Sequence, residues 1–342
     1  MAHQSLYRQY RPASFKDVIG QDQVVKPLEE QIANGKVAHA YLFAGSRGLG
    51  KTSIARIFAR ELGTNERDIY EIDAASNNSV EDIRSLAEQI YTLPFTSTHK
   101  VYILDEAHML SKSAWNAFLK TLEEPPAHAI FILATTELDK VPETVQSRCQ
   151  VFQLKKPARA VLAKLIIEVG KKETYDVEPA AADLIAMLGD GSYRDALSVL
   201  EKALASATGK KLTRETAEHA TGAPKHALVH ALALALSSGD TATALATIRR
   251  VSEEGIDMQL YLTLVLEYLR QILLLRHAPE LRAELAEELG EDSSKEANEL
   301  AADRESKLDY GTLKVFLDAA SRIRFAPIPA LPLELAVLEL SK

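Results

Sequence analysis

The chain has 342 residues, enough for about two or three domains, with 46% apolar residues and a net charge of −8. Its one cysteine, Cys149, excludes an intramolecular disulfide and a cysteine-rich zinc site. No apolar run approaches the roughly 18–20 residues that span a bilayer, and Met1-Ala2-His3-Gln4-Ser5 lacks a charged-then-apolar leader pattern, so a cytoplasmic protein without membrane contact is expected.

Charge is placed unevenly. Residues 1–160 carry 19 Lys and Arg against 19 Asp and Glu, whereas residues 161–342 carry 21 against 29. A polyanionic partner is therefore not expected along the second half, and any DNA contact belongs to local sites in the first.

In chain order, Tyr7-Arg8-Gln9-Tyr10-Arg11-Pro12 and Phe15-Lys16-Asp17-Val18-Ile19-Gly20-Gln21 open the sequence. A helix is predicted from about 21 to 34, closed at Gly35. From 40 to 154, strands at 40–45, 69–73, 100–105, 129–135 and 150–154 alternate with helices at 51–62, 79–91, 112–123 and 142–147. Apolar strands alternating with helices predict an α/β fold, a parallel sheet with helices on both faces. After Pro157 the pattern shows no convincing strand. Helices are predicted at about 158–173, 178–188, 192–207, 213–220, 224–237, 240–254, 257–276, 278–289, 309–323 and 332–341. Residues 284–307, rich in Glu, Ala and Ser, read as either a solvated helix or a mobile connection.

Gly45-Ser46-Arg47-Gly48-Leu49-Gly50-Lys51-Thr52 fits G-x-x-x-x-G-K-[ST], with an apolar strand before it and a helix after it. The glycines let backbone N–H groups turn inward on an anion, and the helix start adds partial positive charge. Lys51 can reach the β- and γ-phosphates of a nucleotide, and Thr52 can ligate Mg²⁺. Val101-Tyr102-Ile103-Leu104-Asp105-Glu106 ends a second strand in two carboxylates, where ligands of open α/β sheets bind. Asp105 would hold Mg²⁺, directly or through water, and Glu106 would orient a water and accept its proton. His108 is expected to pack or cap rather than catalyse. Phe131-Ile132-Leu133-Ala134-Thr135-Thr136 should bring a hydroxyl or two beside a γ-phosphate, although hydroxyls at a strand end also serve turns. Taken alone, the arginine of Ser147-Arg148-Cys149 is a surface residue. In Gly191-Ser192-Tyr193-Arg194-Asp195-Ala196-Leu197, Ser192 caps a helix whose first turn holds Arg194, a place unfavourable to a cation unless an anion such as phosphate accompanies it.

Together these motifs resemble the ATPase subunits, gamma and tau, of bacterial DNA polymerase III clamp loaders, in the AAA+ superfamily. Tyr10-Arg11-Pro12, Val18-Ile19-Gly20-Gln21, His39-Ala40-Tyr41-Leu42-Phe43, the phosphate loop, Ile72-Asp73-Ala74-Ala75-Ser76 and Asp105-Glu106-Ala107-His108-Met109-Leu110 carry the resemblance. So do Leu119-Lys120-Thr121-Leu122-Glu123-Glu124-Pro125-Pro126, Ala134-Thr135-Thr136, Ser147-Arg148-Cys149 and the segment from Gly191 to Leu197.

The resemblance implies a nucleotide-binding AAA+ domain over 1–157, a helical lid over 158–222 and an all-α collar over 223–342 that oligomerises. It implies that Gly45 to Ser53 cradle ATP, with Thr52 and Asp105 on Mg²⁺ and Asp105-Glu106 as the Walker B pair. Val18 and Ile19 would line the adenine pocket, Thr136 would be the likelier sensor 1, and Arg194 would be sensor 2. Arg148 would act in trans, as an arginine finger in a neighbouring subunit. Implied partners are subunits of delta and delta-prime type, copies of the same chain, the sliding clamp and the backbone of primer-template DNA. The helix starting near Asn77-Asn78-Ser79 would meet that backbone. In the family a four-cysteine zinc module usually follows the phosphate-loop helix; here Leu62-Gly63-Thr64-Asn65-Glu66-Arg67-Asp68 bridges directly, so no zinc is expected. The rival readings are a non-catalytic stator, which keeps Ser-Arg-Cys but loses the phosphate loop, and another AAA+ motor such as a branch-migration ATPase, which the Ser-Arg-Cys and Leu-Glu-Glu-Pro-Pro segments disfavour.

Overall fold

The structure is a computed structural model that describes residues 4–278, Glu280, Leu285 and 291–341. Its internal contacts gather into two compact units, Met1–Leu162 with Gly189–Ser198, and Ala163–Leu188 with Val199–Lys342.

The first unit is built on a parallel sheet of β1 (Ala40–Ala44), β2 (Ile69–Asp73), β3 (Lys100–Asp105), β4 (Ala129–Thr135) and β5 (Gln150–Gln153), in the order β2-β3-β4-β1-β5. The central strands β1 and β4 are buried along their whole length, while the edge strands β2 and β5 are largely not. That is the distribution a sheet covered on both faces requires. Alternate residues feed two cores. Leu42, Tyr102, Leu104, Phe131 and Leu133 meet Ile83, Leu86 and Ile90 of α4 (Val80–Ile90) and Trp115, Phe118 and Leu122 of α5 (Lys112–Glu123). Tyr41, Phe43, Val101, Ile103, Ile130 and Ile132 meet Val24 and Leu28 of α2 (Asp22–Ala33) and Ile54, Ile57 and Phe58 of α3 (Lys51–Glu61). Short helices α1 (Leu6–Gln9) and α6 (Glu143–Gln146) complete the unit, with the start of α9 (Tyr193–Ala205).

The helices start where the sequence supplies a cap. Ser79 Oγ accepts from Asp82 N at 3.2 Å to open α4, and Ser111 Oγ accepts from Ala114 N at 3.2 Å to open α5. Buried Gln21 donates to Lys155 O at 2.8 Å and accepts from Lys155 N at 3.1 Å, which pins the chain before α2 to the segment after β5.

The second unit is helical, with α8 (Pro179–Leu188), α10 (Arg214–Thr221), α11 (His226–Ser238), α12 (Thr241–Glu253), α13 (Met258–His277), α14 (Glu291–Ala302), α15 (Tyr310–Ile323) and α16 (Leu331–Leu340), after α7 (Arg159–Lys172), which begins in the first unit. Two expectations are corrected and one open choice is settled. A two-residue parallel pair, β6 (Asp176–Val177) with β7 (Lys211–Leu212), stands where no strand was expected; so short a pair leaves no periodicity to read. Residues 291–302 form a helix, which resolves the choice between helix and connection there. The 20-residue α13 is long and apolar enough to cross a membrane, against the expectation of no such run. It contacts α11, α14 and α15 and buries Tyr261, Leu262, Val265, Leu269 and Ile272, as the core helix of a bundle does. Most of the helix expected over 278–289 lies outside the described residues.

Asp68, fully buried ahead of β2, organises the loop after α4. Its carboxylate accepts from the N–H groups of Phe95, Thr96 and Ser97 at 2.6, 3.0 and 3.0 Å. Burial raises its pKa, but these donors outweigh burial and hold it at about 2. The loop thus held presents Tyr91, Leu93 and Phe95 to solvent. Asp68→Asn should destabilise the chain by about 1–3 kcal/mol near neutral pH, since an amide leaves some of these N–H groups without an acceptor. A folded pKa below the unfolded value of 3.8 gives stability that is present above that value and lost as pH falls through about 2. Urea titrations from pH 7 to pH 2 should show the gap between wild type and variant closing below about pH 4; a gap constant with pH would contradict this account.

Candidate active site

Because β4 lies between β1 and β3 in the sheet, the C-terminal ends of these three strands converge. The loop Gly45–Gly50 follows β1, Asp105 and Glu106 stand at the end of β3, and Thr135 and Thr136 at the end of β4.

The loop and the carboxylates are joined directly. Thr52, in the first turn of α3, donates its hydroxyl to Asp105 Oδ2 at 2.7 Å. Lys51 Nζ is folded under the loop, donating to Gly45 O at 2.7 Å and Ser46 O at 3.0 Å. Burial lowers the Lys51 pKa, Glu106 and then Asp105 oppose that shift, and Arg194 adds to it. The buried lysine therefore feels both carboxylates and the arginine. Ser53 and Thr52 are buried, Leu49 turns into the core, and Arg47 points out to solvent.

Glu106 is held in an unusual way. Its backbone is left-handed at φ 48, one of four such non-glycine residues among those described. A conformation of this kind costs about 1–3 kcal/mol and persists only where its surroundings enforce it. Its N–H donates to Asp105 Oδ1 at 3.0 Å, and its carboxylate Oε2 accepts from Thr136 Oγ at 3.1 Å.

The segment 189–198 closes on the loop from the other side. Gly48, at φ +77, accepts at its carbonyl from Tyr193 N at 3.1 Å, and a Cβ there would lie 1.9 Å from Ser192 Oγ. Glycine is thus required both by conformation and by contact. Ser192 caps α9 through Asp195 N at 3.2 Å, as the sequence predicts, and Arg194 lies over the Tyr7 ring at 5.8 Å. Tyr193 donates its hydroxyl to Ile19 O at 2.6 Å. Val18 packs against the core, whereas Ile19 is 39% exposed.

One expected site residue, Arg148, and one expected contact segment, the start of α4, do not join this cluster. Arg148 donates to Glu123 Oε1 at 2.7 Å and to Thr144 O at 2.7 Å within its own chain. The start of α4 is closed from within: Ser79 donates to Asp82 Oδ2 through Oγ at 2.6 Å and through N at 3.1 Å, and Glu81 adds a second carboxylate to the first turn. Those carboxylates oppose a phosphate at this helix end.

Sequence reasoning missed the N-terminal hook. Arg11 Nε donates to Ser53 Oγ at 2.8 Å, beside the phosphate loop. Burial foremost lowers the Arg11 pKa, with Arg56 adding to the shift. The Tyr10-Arg11-Pro12 run was the available signal, but nothing in its spacing points across 42 residues to Ser53. Cys149 is partly buried, and that burial pushes its thiol up to about 12.

The donors around Thr52 and Asp105 are oxygens, which suit Mg²⁺. A phosphate loop, an acid pair at a neighbouring strand end and a polar residue on the strand between them are the parts of a P-loop nucleotide-binding site. Family models agree. "DNA polymerase III, delta subunit" matches residues 20–77 and 64–158, "DNA polymerase III clamp loader subunit, ATPase lid domain" matches 163–209, and "DNA polymerase III subunits gamma and tau domain III" matches 212–342. DNA polymerase III subunit tau of Bacillus subtilis is 39% identical over 87% of this chain and 57% of its own length. The gamma/tau subunit of Mycobacterium tuberculosis H37Rv is 34% identical over 98% of this chain and 62% of its own. The gamma subunit of Buchnera aphidicola is 34% identical over 99% of this chain and 98% of its own. The chain belongs to the gamma/tau family of DNA polymerase III clamp-loader subunits, and spans about three-fifths of the first two of these relatives. Among solved structures, the Thermotoga maritima RuvB Holliday junction branch migration motor shares the fold, with a TM-score of 0.54 at 23% identity over 85% of this chain and 90% of that one.

Gly48→Ala should weaken binding of a fluorescent ATP analogue at least tenfold, because it pushes Ser192 and Arg194 away from the loop. Gly63→Ala is the control: it has a similar φ of +76 but nothing within 4 Å, so it should lose roughly 1 kcal/mol of stability and keep its affinity. Equal affinities in the two variants would contradict the contact argument.

Proposed function

We propose that this chain is the ATP-hydrolysing motor subunit of a DNA polymerase III clamp loader, and that residues 1–157, 158–222 and 223–342 serve as nucleotide-binding domain, lid and oligomerising collar. The observation that carries the reading is the 2.7 Å bond from Thr52 to Asp105, which joins the phosphate loop to the acid pair in the geometry that Mg·ATP chemistry needs. It weighs against the stator reading, which requires a degraded loop.

In this proposal Gly45, Ser46, Arg47, Gly48, Leu49 and Gly50 wrap the phosphates with backbone N–H groups, Lys51 turns from its two carbonyls to the β- and γ-phosphates, and Ser53 stands beside Thr52 in the cradle. Thr52 and Asp105 would hold Mg²⁺, which would supply positive charge beside the transferred phosphoryl group. Glu106 orients the attacking water and takes its proton. Thr136 holds Glu106 and senses the γ-phosphate, Arg194 closes from the lid turn, and Val18 and Ile19 border the adenine. Arg148 leaves Glu123 to complete a neighbour's site. Subunits of delta and delta-prime type, further copies of this chain, the sliding clamp and primer-template DNA are the proposed partners. ATP binding would hold the clamp open, and DNA would trigger hydrolysis and closure. Given the acids at the start of α4, contact with the DNA backbone is assigned to Asn77 and Asn78 rather than to helix N–H groups.

Glu106→Gln should bind ATP and Mg²⁺ with near wild-type affinity in equilibrium titrations, and lose roughly 10²–10⁴-fold in turnover. A loss of affinity as deep as that of Lys51→Ala would contradict its role as base.

Arg148→Ala should bind ATP normally in its own site and fail to activate its neighbour, at a cost of up to roughly 10³–10⁵ in rate. Arg148→Ala and Lys51→Ala chains mixed in one assembly should recover DNA-stimulated hydrolysis at interfaces that pair an intact Lys51 with an intact Arg148. No recovery in a mixture shown to co-assemble would mean that Arg148 serves only its own chain.

A further inference from the structure

His108 was expected to pack or cap, and its surroundings go further than that. It lies on the single turn after Glu106, with its side chain only 6% exposed. Nδ1 is 3.1 Å from Thr135 Oγ and 3.5 Å from Glu106 Oε2, and Nε2 is 3.3 Å from Glu137 Oε1. The ring therefore lies among three polar groups from two strand ends.

The direction of the hydrogen bonds can be worked out. The fully buried Thr135 hydroxyl donates its one hydrogen to Glu137 O at 3.2 Å. Its lone pairs then accept from Glu137 N at 3.0 Å and from the imidazole. Nδ1 accordingly carries the hydrogen and donates it to Thr135 Oγ, while the same ring edge stands 3.5 Å from Glu106 Oε2 as a polar contact. Thr136 Oγ donates to the same oxygen of Glu106, at 3.1 Å. One hydrogen bond, from Thr136, and one polar contact, from the imidazole edge, thus converge on Oε2, while among the described residues no hydrogen-bond donor addresses Oε1.

We propose that His108 is a positioning residue for ATP hydrolysis: with Thr136 it anchors Oε2 of Glu106, so that Oε1 is presented to the attacking water. This rests on the reading of Glu106 as the base. The anchoring also accounts for the left-handed backbone of Glu106, because the side chain is gripped from the strand β4 side while the backbone is tied to Asp105. Through Thr135 and Glu137 the imidazole links the Walker B glutamate to the end of β4, so a shift of that strand end would move the base.

The test is steady-state ATP hydrolysis by the chain assembled with its partner subunits, clamp and primer-template DNA, alongside direct binding of an ATP analogue and thermal melting. The side-chain amide of His108→Asn can stand near Nδ1 and donate toward Oε2, whereas that of His108→Gln stands near Nε2 and reaches Glu137. His108→Ala and His108→Gln should lose roughly tenfold in kcat, a change of 1.36 kcal/mol in the barrier, with KM and analogue affinity within about twofold of wild type. His108→Asn should stay within about threefold of wild type in kcat. A packing role would instead lower melting temperature and activity together, with no order between Asn and Gln. Unchanged kcat in His108→Ala, or Asn falling as far as Gln, overturns the proposal. If His108→Ala does not fold, the Asn and Gln pair decides alone. Wild-type assemblies that bind ATP without turning it over overturn the reading of the site itself, and this proposal with it; active wild type with indifferent variants overturns this proposal alone.

Discussion

The hydrogen bond between Thr52 and Asp105 joins two residues that are 53 apart in sequence, and it exists only because the sheet places β1 and β3 on either side of β4. The strands are held in that order by burial on both faces: every residue of β1 and β4 is buried, and their alternate side chains fill two separate cores. A parallel sheet of this kind exposes its C-terminal ends as a row of loops, and only there can polar groups gather without burying unpaired backbone. The polar groups that gather satisfy one another. The Lys51 ammonium is hydrogen-bonded to loop carbonyls and favoured by the field of Glu106 and Asp105, while Thr135, Thr136 and His108 meet around Glu106.

Most of the sheet was legible in the sequence because its strands are continuous apolar runs. The five predicted strands agree with the observed ones to within a residue at their ends, and α5 is observed at 112–123 as predicted. The phosphate loop and the acid pair were legible for another reason: their chemistry is carried by residues adjacent in sequence. What escaped notice is made of contacts between distant residues. Arg11 with Ser53, Gln21 with Lys155 and Asp68 with the loop at 95–97 each pair a polar side chain with a partner 27 to 134 residues away. No periodicity announces such a pairing. The cap of α4 shows the converse failure. Asn77-Asn78-Ser79 reads as a polar helix start open to phosphate, but Asp82, three residues beyond Ser79, turns back and occupies it.

The segment 189–198 explains how a site made at strand ends is closed. Gly48 brings the loop into backbone contact with Tyr193, and Tyr193 in turn reaches Ile19, so the loop, the N-terminal hook and the start of α9 form one interlocked set. Arg194 is placed by this set rather than by its own helix, whose N-terminus disfavours a cation. The Tyr7 ring beneath it gives part of the compensation as a cation–π contact, worth about 0.5–1 kcal/mol at an exposed place. An anionic ligand would be the stronger remaining compensation, which is the role proposed for nucleotide phosphate beside Arg194.

Arg148 is placed on different terms. Its partner Glu123 is half exposed, at 51%, and the arginine itself is 34% exposed. An ion pair in that setting contributes about 0–1 kcal/mol, and salt weakens it further. A guanidinium held so lightly can be drawn to a triphosphate on a neighbouring chain at small cost, since a polyphosphate offers more charge and bidentate geometry than one carboxylate. Lys51 and Asp105, by contrast, are fixed by buried or partly buried bonds inside one chain. The proposed division of labour therefore follows from how each charge is held: the groups that bind nucleotide are set by folding, and the group proposed to trigger a neighbour is set by a contact weak enough for assembly to replace.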